Sequence, residues 1–551
     1  MTIRLRGVRM PLDHSTAQLR RAAAKELNIK ETDIVSCQPS RRAVDARRRT
    51  VQFTYTLDLL LAGDLEQDNR ILALPGVVRQ KEQVFQEVVA GSQDLRYSPL
   101  IVGSGPAGLF CALYLARRGY RPVVIERGPD MDRRIHAVEG FWRGGKFDAM
   151  ANAQFGEGGA GTFSDGKLTT RSSDERINLV LQTFVDYGAH EEILYVKKPH
   201  VGTNIIRQVV KKIRQEILAL GGEIYFDACL TDIIVNQGRL ESIIINNEID
   251  IPVSLLVLAT GNSARDIYLL LDRREVRLSP KSFALGVRVE HPQEVIDRQQ
   301  YGSFAGHPSL GAADYHLTYQ DRASGRAIYT FCMCPGGYVI AASSQTGGVV
   351  TNGMSYDTRD SGIANSALVV TVDPADWNHT TLGGIDLQEK LEQKAFAMGG
   401  GDYKAPAQLL KDFLQQQSTV SLEDSLASYR PGVAPANLWN LFSPDICGVM
   451  QRGIEAWGAR MPEFLDHRAV LTGVETRTSA PVRMERDENM CSSLENLYPC
   501  GEGSGHAGGI VSSAVDGIKV AEKIINTFSQ PAGLLNIDHP GVTSARDLEC
   551  K

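Results

Sequence analysis

The sequence predicts an α/β protein built on a parallel sheet, with an inserted α+β second domain and a small N-terminal α+β domain. Three observations predict it. Residues 100–126 read as strand, glycine turn, helix and strand, the repeating unit of a parallel sheet. From about 275 to 475 the pattern changes to alternating strands with occasional helices, as in an antiparallel sheet. After that stretch a short apolar strand and a long helix return, so the chain comes back to the unit it left.

A chain of 551 residues is too long for one core. The expected organisation is a small N-terminal domain over 1–90, a nucleotide-type domain over 97–275, an insertion over 276–485, a return to the first unit over 486–530, and a tail over 531–551. Apolar content of 43% and charged content of 23% are those of a soluble globular chain. No run of 18 apolar residues suggests a membrane span, and Met1–Arg6 lacks the apolar core of a signal peptide. The nine cysteines form no CxxC pair and no zinc-like spacing, so reduced thiols in the cytoplasm are the simplest reading. A net charge of −6 argues against a nucleic-acid partner. The oligomeric state is not legible.

In the N-terminal domain, Ile3–Val8 reads as a strand and Ser15–Leu27 as an amphipathic helix capped by Ser15 or Thr16. Ile34–Gln38 and Val51–Leu61 read as further strands. The arginine-rich Arg41–Arg49 between them is expected to be a solvated basic turn, with an RNA or anion site as the alternative. Leu100–Val102 and Pro122–Glu126 are read as strands of the parallel unit, with Glu223–Phe226 and the buried Leu255–Gly261 as further strands. Helices are expected over 105–119 and 204–220, with a hairpin turning at Gln237-Gly238. Within the insertion, Phe283–Glu290, Ala327–Cys334 and Tyr338–Ala342 read as strands and Leu387–Ala397 as a helix. Asn496–Gly501 is then a strand, Gly509–Phe528 a helix, and the tail beyond 530 an extended arm.

Three glycine-rich segments carry the chemistry. In Gly103-Ser104-Gly105-Pro106-Ala107-Gly108, the first glycine permits a tight turn, the second lets backbone approach a pyrophosphate, and the third lets the helix pack on the sheet. The helix start then offers unpaired N–H groups and a positive dipole end to phosphates. Glu126, ending the next strand, is placed to accept ribose hydroxyls, with Arg127 beside it. The second segment, Asn152–Leu168, has five glycines in 156–166 and exposes backbone N–H groups suited to an anion or a ring edge. The third, Gly501-Glu502-Gly503-Ser504-Gly505-His506-Ala507-Gly508-Gly509-Ile510, joins a strand to a helix whose positive end would face a flavin's N1–C2=O edge.

Together these segments resemble the glutathione-reductase-type FAD-binding superfamily, over about 97–265 and 490–528. The resemblance implies a Rossmann-like FAD-binding domain and FAD as cofactor. Pyrophosphate would sit at 103–108, the adenosine ribose at Glu126, and the closing strand at Ala259-Thr260-Gly261. Gly159, Gly161, Thr162, Ser164, Gly501, Glu502, Gly508, Gly509 and Ile510 would complete the cofactor site, Glu502 replacing the family's usual aspartate. More narrowly, Gly158–Leu168, Phe331–Gly337, Asn352–Ser355 and Gly505–Ile510 resemble a group of bacterial FAD-dependent dehydrogenases. That implies an oxidoreductase acting on a small-molecule substrate, with a second domain over the flavin, and does not name the substrate.

His506 is the candidate proton carrier, since histidine titrates near neutral pH; a helix-start packing role is the equal alternative. Ser164, Asp165 and Lys167 are further catalytic candidates. Arg477 is either an anchor for a substrate carboxylate or phosphate or a member of a surface ion pair. Cys332 and Cys334, two apart on a strand, share a face; two small core side chains are favoured over a redox relay. No second strand–turn–helix glycine motif is found, so NAD(P)H, if it is the electron donor, docks without a dedicated domain. The alternative function is a flavin-dependent RNA-binding or RNA-modifying protein.

Overall fold

Leu100–Val102, Val123–Ile125 and Leu256–Leu258 are each buried along their whole length, which fits apolar strands covered on both faces by helices. They lie in a six-stranded sheet ordered 497–499, 256–258, 100–102, 123–125, 223–226, 543–544, parallel except at the last strand. The computed structural model describes residues 2–549, apart from 48, 49, 64, 66, 67, 81–87, 171 and 424. Helices Pro106–Ala116 and Ile510–Thr527 pack together on one face of this sheet in a core shared with helix Gly202–Ala219. Their approach is close: a Cβ on Gly517 would stand 2.1 Å from the carbonyl oxygen of Ala107.

The insertion forms a seven-stranded sheet ordered 318–320, 327–334, 363–372, 283–292, 470–475, 405–409, 433–435. It has its own core, including Leu285, Val287, Leu368, Val370, Trp457 and Phe464. The N-terminal strands form a four-stranded sheet ordered 34–45, 52–61, 3–10, 77–79. Helix Thr16–Leu27 covers it, started by a capping box in which Ser15 and Gln18 satisfy each other's backbone N–H.

One expectation is corrected and another refined. Arg41–Asp45 is not a turn but the end of strand Ile34–Asp45, paired with Thr56–Gln52. Two of the arginines are engaged: Arg42 bonds Glu192 at 2.9 and 3.0 Å and lies over the Phe53 and Tyr195 rings, and Arg47 pairs with Asp45 at 2.8 Å. Arg48 and Arg49 lie outside the described residues. The tail is extended over much of 531–542, as expected, but it is packed against the domain and ends in helix Ala545–Glu549. Leu535 and Ile537 are buried, Thr543–Ser544 extends the parallel sheet, and Arg214 pairs with Glu549 at 2.9 Å. Among the described residues, no helix is long and apolar enough to cross a membrane.

Candidate functional site

The three glycine segments converge. The strand Leu100–Val102 turns at Gly103, with φ +102°, into a helix capped by Gly105 and begun by Pro106. The helix start has no side-chain cap, so its first N–H groups are free for a ligand. A Cβ on Gly103 would lie 2.4 Å from the Ala259 carbonyl oxygen, and one on Gly108 would lie 1.9 Å from that of Gly103. Gly105 differs: the nearest atom to an added Cβ is the Gly159 Cα, 3.9 Å away. The backbone at 103 and 108 is packed against protein, whereas at 105 space is left in front of the helix end.

The second segment reaches this point through Gly158, whose N–H donates to the Ser104 carbonyl at 3.0 Å. Arg134, fully buried, donates to the carbonyls of Asn152, Gly156, Glu157 and Gly159 and to the Thr162 hydroxyl. It is the scaffold of the loop, and no motif in the sequence marks it. The third segment closes the ring. A Cβ on Gly161 would touch the Ile510 side chain at 3.2 Å, and helix Ile510–Thr527 starts on Gly509, again without a side-chain cap. Around Gly261, Gly508 and Gly509 an added Cβ would meet nothing within 4 Å. Asp516, another residue the motifs do not mark, accepts the Gly501 N–H at 2.8 Å and the Arg486 fork at 2.7 and 3.0 Å. Two uncapped helix starts aimed into glycine-lined open space are a donor set that fits a dinucleotide's phosphates and a flavin edge.

The carboxylate of Glu126 is engaged within the chain. One oxygen accepts the Ser104 N–H (3.0 Å) and hydroxyl (2.8 Å); the other accepts the N–H groups of Gly128 (3.1 Å) and Gly156 (3.0 Å). All four lone-pair directions are used within the chain, so Glu126 clamps the first glycine turn to the second segment. Arg127 pairs with Asp266 at 2.9 Å and lies 4.4 Å over the Phe155 ring.

Asp165, buried, accepts a bidentate pair from Arg359 (2.6 and 3.0 Å) and a bond from Ser355, and it meets Lys167 Nζ at 2.7 Å. Burial raises its pKa, but Lys167 and Arg359 outweigh that and hold it far below the ordinary carboxylate range. Lys167 is kept cationic by Asp165 against its own burial, and its Nζ stands 3.7 Å from Cys334 Sγ on the second sheet. The Ser164 hydroxyl is taken up locally, donating to the Gly161 carbonyl and accepting the Gly166 N–H. Glu502 accepts from Asn262 (2.9 Å) and the Gly509 N–H (3.3 Å), its pKa pushed up by burial.

The imidazole of His506 is partly buried, with Nε2 3.0 Å from the Met484 carbonyl. Facing an acceptor, Nε2 carries the proton, which leaves Nδ1 as a base, and partial burial lowers the pKa of the ring. Arg477 is not available to a substrate. Its fork is bonded to buried Glu392 at 2.9 and 3.1 Å, and Arg265 takes the same carboxylate at 2.7 and 3.0 Å. The free-anchor expectation is thus replaced by a buried interdomain ion triad.

Residues 282–478 match the family described as FAD-dependent protein, C-terminal domain-like, and residues 101–140 match the NAD(P)-binding Rossmann-like domain. Residues 2–60 match a domain of unknown function. An uncharacterized protein of Clostridium beijerinckii is 44% identical over 540 residues, spanning 96% of this chain and 100% of that one. Among solved structures, a halogenase in complex with FAD is 11% identical, with 78% of this chain and 68% of that one covered at a TM-score of 0.36. For the E. coli quinol fumarate reductase the figures are 10%, 79%, 70% and 0.34. For glycine oxidase of Bacillus cereus they are 12%, 79%, 99% and 0.31. These overlays are loose, and the assignment rests on the sequence matches together with the glycine-lined cradle: the chain belongs to this family of FAD-dependent proteins, and FAD is its cofactor.

Proposed function

We propose that this chain is an FAD-dependent oxidoreductase that moves an electron pair between its flavin and a small-molecule substrate held between the two large sheets. One observation carries the reading. The inserted domain brings Cys334, at the end of strand Ala327–Cys334, and Ser355 and Arg359, in the loop before strand 363–372, onto the second glycine segment at Asp165 and Lys167. FAD, when bound, supplies the two-electron chemistry. Lys167, held as a cation by Asp165, would stabilise negative charge developing beside it. His506, with Nδ1 free to accept, would carry a proton to or from the substrate. The nicotinamide dinucleotides enter as candidate electron donors that dock on the open side of the site.

The test is anaerobic reduction of the purified, FAD-loaded protein by NADH, NADPH or candidate organic substrates, followed at the flavin absorbance band. Bleaching by one of these, with sustained turnover once an acceptor is added, is the expected result. A protein that carries FAD yet turns over with no donor and acceptor would contradict the reading.

A further inference from the structure

Cys332 lies where strand Ala327–Cys334 falls out of step with its neighbour. Pairing with 363–372 is regular from Ile328 to Phe331 and resumes only at Cys334, opposite Asn365. At the break Cys332 takes φ +46°, a left-handed backbone that a cysteine adopts only where its surroundings impose it. Those surroundings are buried and charged. Arg288, fully buried, is paired with Glu475 at 2.7 and 3.1 Å and donates to the Cys332 carbonyl (3.2 Å) and to Asn365 (3.0 Å).

The bulge turns the buried Cys334 thiol back onto the Cys332 main chain: Cys334 Sγ donates to the Cys332 carbonyl oxygen at 3.3 Å. Cys334 is buried, with Lys167 Nζ at 3.7 Å; Cys332 is partly exposed and close enough to Glu502, on the third glycine segment, for their charges to interact. Among the described cysteines Cys332 alone has its thiol held below the ordinary range, first by Cys334 and then by Lys167 and Arg288. A partly exposed thiol two residues from a buried one that meets a lysine is the arrangement of an attacking and a resolving cysteine.

We propose that Cys332 and Cys334 form a dithiol–disulfide couple that exchanges electrons with the FAD of this chain and with a thiol or disulfide substrate that meets Cys332. This rests on the oxidoreductase reading above. In the oxidising direction the two S–H bonds break and one S–S bond forms. The pair gives two electrons and one proton to oxidised FAD and the second proton to water. In the reducing direction the Cys332 thiolate attacks a substrate disulfide and releases one thiol. Cys334 then displaces the second thiol from Cys332 as the S–S bond closes, and two electrons and a proton from reduced FAD, with one proton from water, reopen it.

The experiment uses the FAD-loaded protein under anaerobic conditions with dithiothreitol as the thiol probe. Flavin absorbance is followed while samples are acid-quenched, alkylated and digested, so that the peptide Ala327–Arg359, which holds both cysteines, can be weighed. The expected result is bleaching by dithiothreitol, with the peptide unalkylated and disulfide-closed before reduction and doubly alkylated after it. Cys332→Ser and Cys334→Ser should each slow the bleaching at least about tenfold while leaving photoreduction of the flavin intact. A protein that binds FAD and bleaches with another donor, but whose two thiols stay alkylatable throughout, overturns the couple and leaves the oxidoreductase reading standing. Failure of photoreduction itself strikes that reading instead. A Cys332→Ser protein bleaching with dithiothreitol as fast as the parent also overturns the couple.

Discussion

Asp165 and Arg359 stand 194 positions apart in the chain and meet in a bidentate ion pair of 2.6 and 3.0 Å, fastening the second glycine segment to the inserted domain. Asp165 is 1% exposed and also faces Lys167, so its removal strands two cations. Asp165→Asn should cost about 3–5 kcal/mol, because an unpaired buried charge is expensive. Urea unfolding followed by circular dichroism measures it. A loss below about 1 kcal/mol, typical of surface pairs, would show that this contact does not hold the loop.

Acid stability follows from the same kind of contact. Burial opposes ionisation of Glu392, but Arg477 and Arg265 outweigh it and hold the pKa at about 2. A depressed folded pKa contributes stability that is complete above the unfolded glutamate value of about 4.3 and is lost as pH falls from there toward the folded value. Thermal midpoints should therefore fall steeply between about pH 4.3 and 2, and less steeply in Glu392→Gln. Parallel slopes for parent and variant would remove Glu392 from the account.

Arg477→Lys separates a structural role from a substrate-binding one. Lysine cannot reproduce the two-pronged contact with Glu392. Stability should drop by about 1–3 kcal/mol, while KM for whatever substrate is found stays near the parent value. A rise in KM with unchanged stability would restore Arg477 as an anchor.

The clamp at Glu126 gives a sharper substitution. Glu126→Gln keeps the shape but turns an amide NH2 toward a pair of donors, either those of Ser104 or those of Gly128 and Gly156. The expected loss is about 1–3 kcal/mol from donors left without an acceptor, read by denaturant unfolding of the FAD-free protein. An unchanged midpoint would mean that Glu126 is not clamping the turn and is free for a ribose.

Much of this architecture is legible in the sequence because its signals are local. The all-apolar runs at 100–102 and 255–258 announce buried parallel strands, and Gly103 and Gly108 announce a turn and a close helix. Ser15 marks its helix through a local hydrogen bond with Gln18. What escapes depends on distant partners. Arg477 reads as exposed until Glu392 and Arg265 are folded against it. Arg134 sits in an unremarkable helix, and only the fold shows it holding four carbonyls. The left-handed backbone at Cys332 arises from a register break with residues 363–372, which period-two alternation does not record. The Arg41–Asp45 run reads as a turn by charge, but pairing with Gln52–Thr56 extends the strand.

The measurement that bears most directly on the central claim is the flavin content of Gly105→Ala. Gly105 has an ordinary φ of −72°, and an added Cβ would have no protein atom nearer than 3.9 Å, so the chain itself should tolerate the methyl. The methyl would stand where a pyrophosphate must approach the helix start. The variant should unfold within about 1 kcal/mol of the parent and bind FAD at least about tenfold more weakly. A stable variant with undiminished FAD affinity, or a parent protein that takes up no FAD on reconstitution, would contradict it.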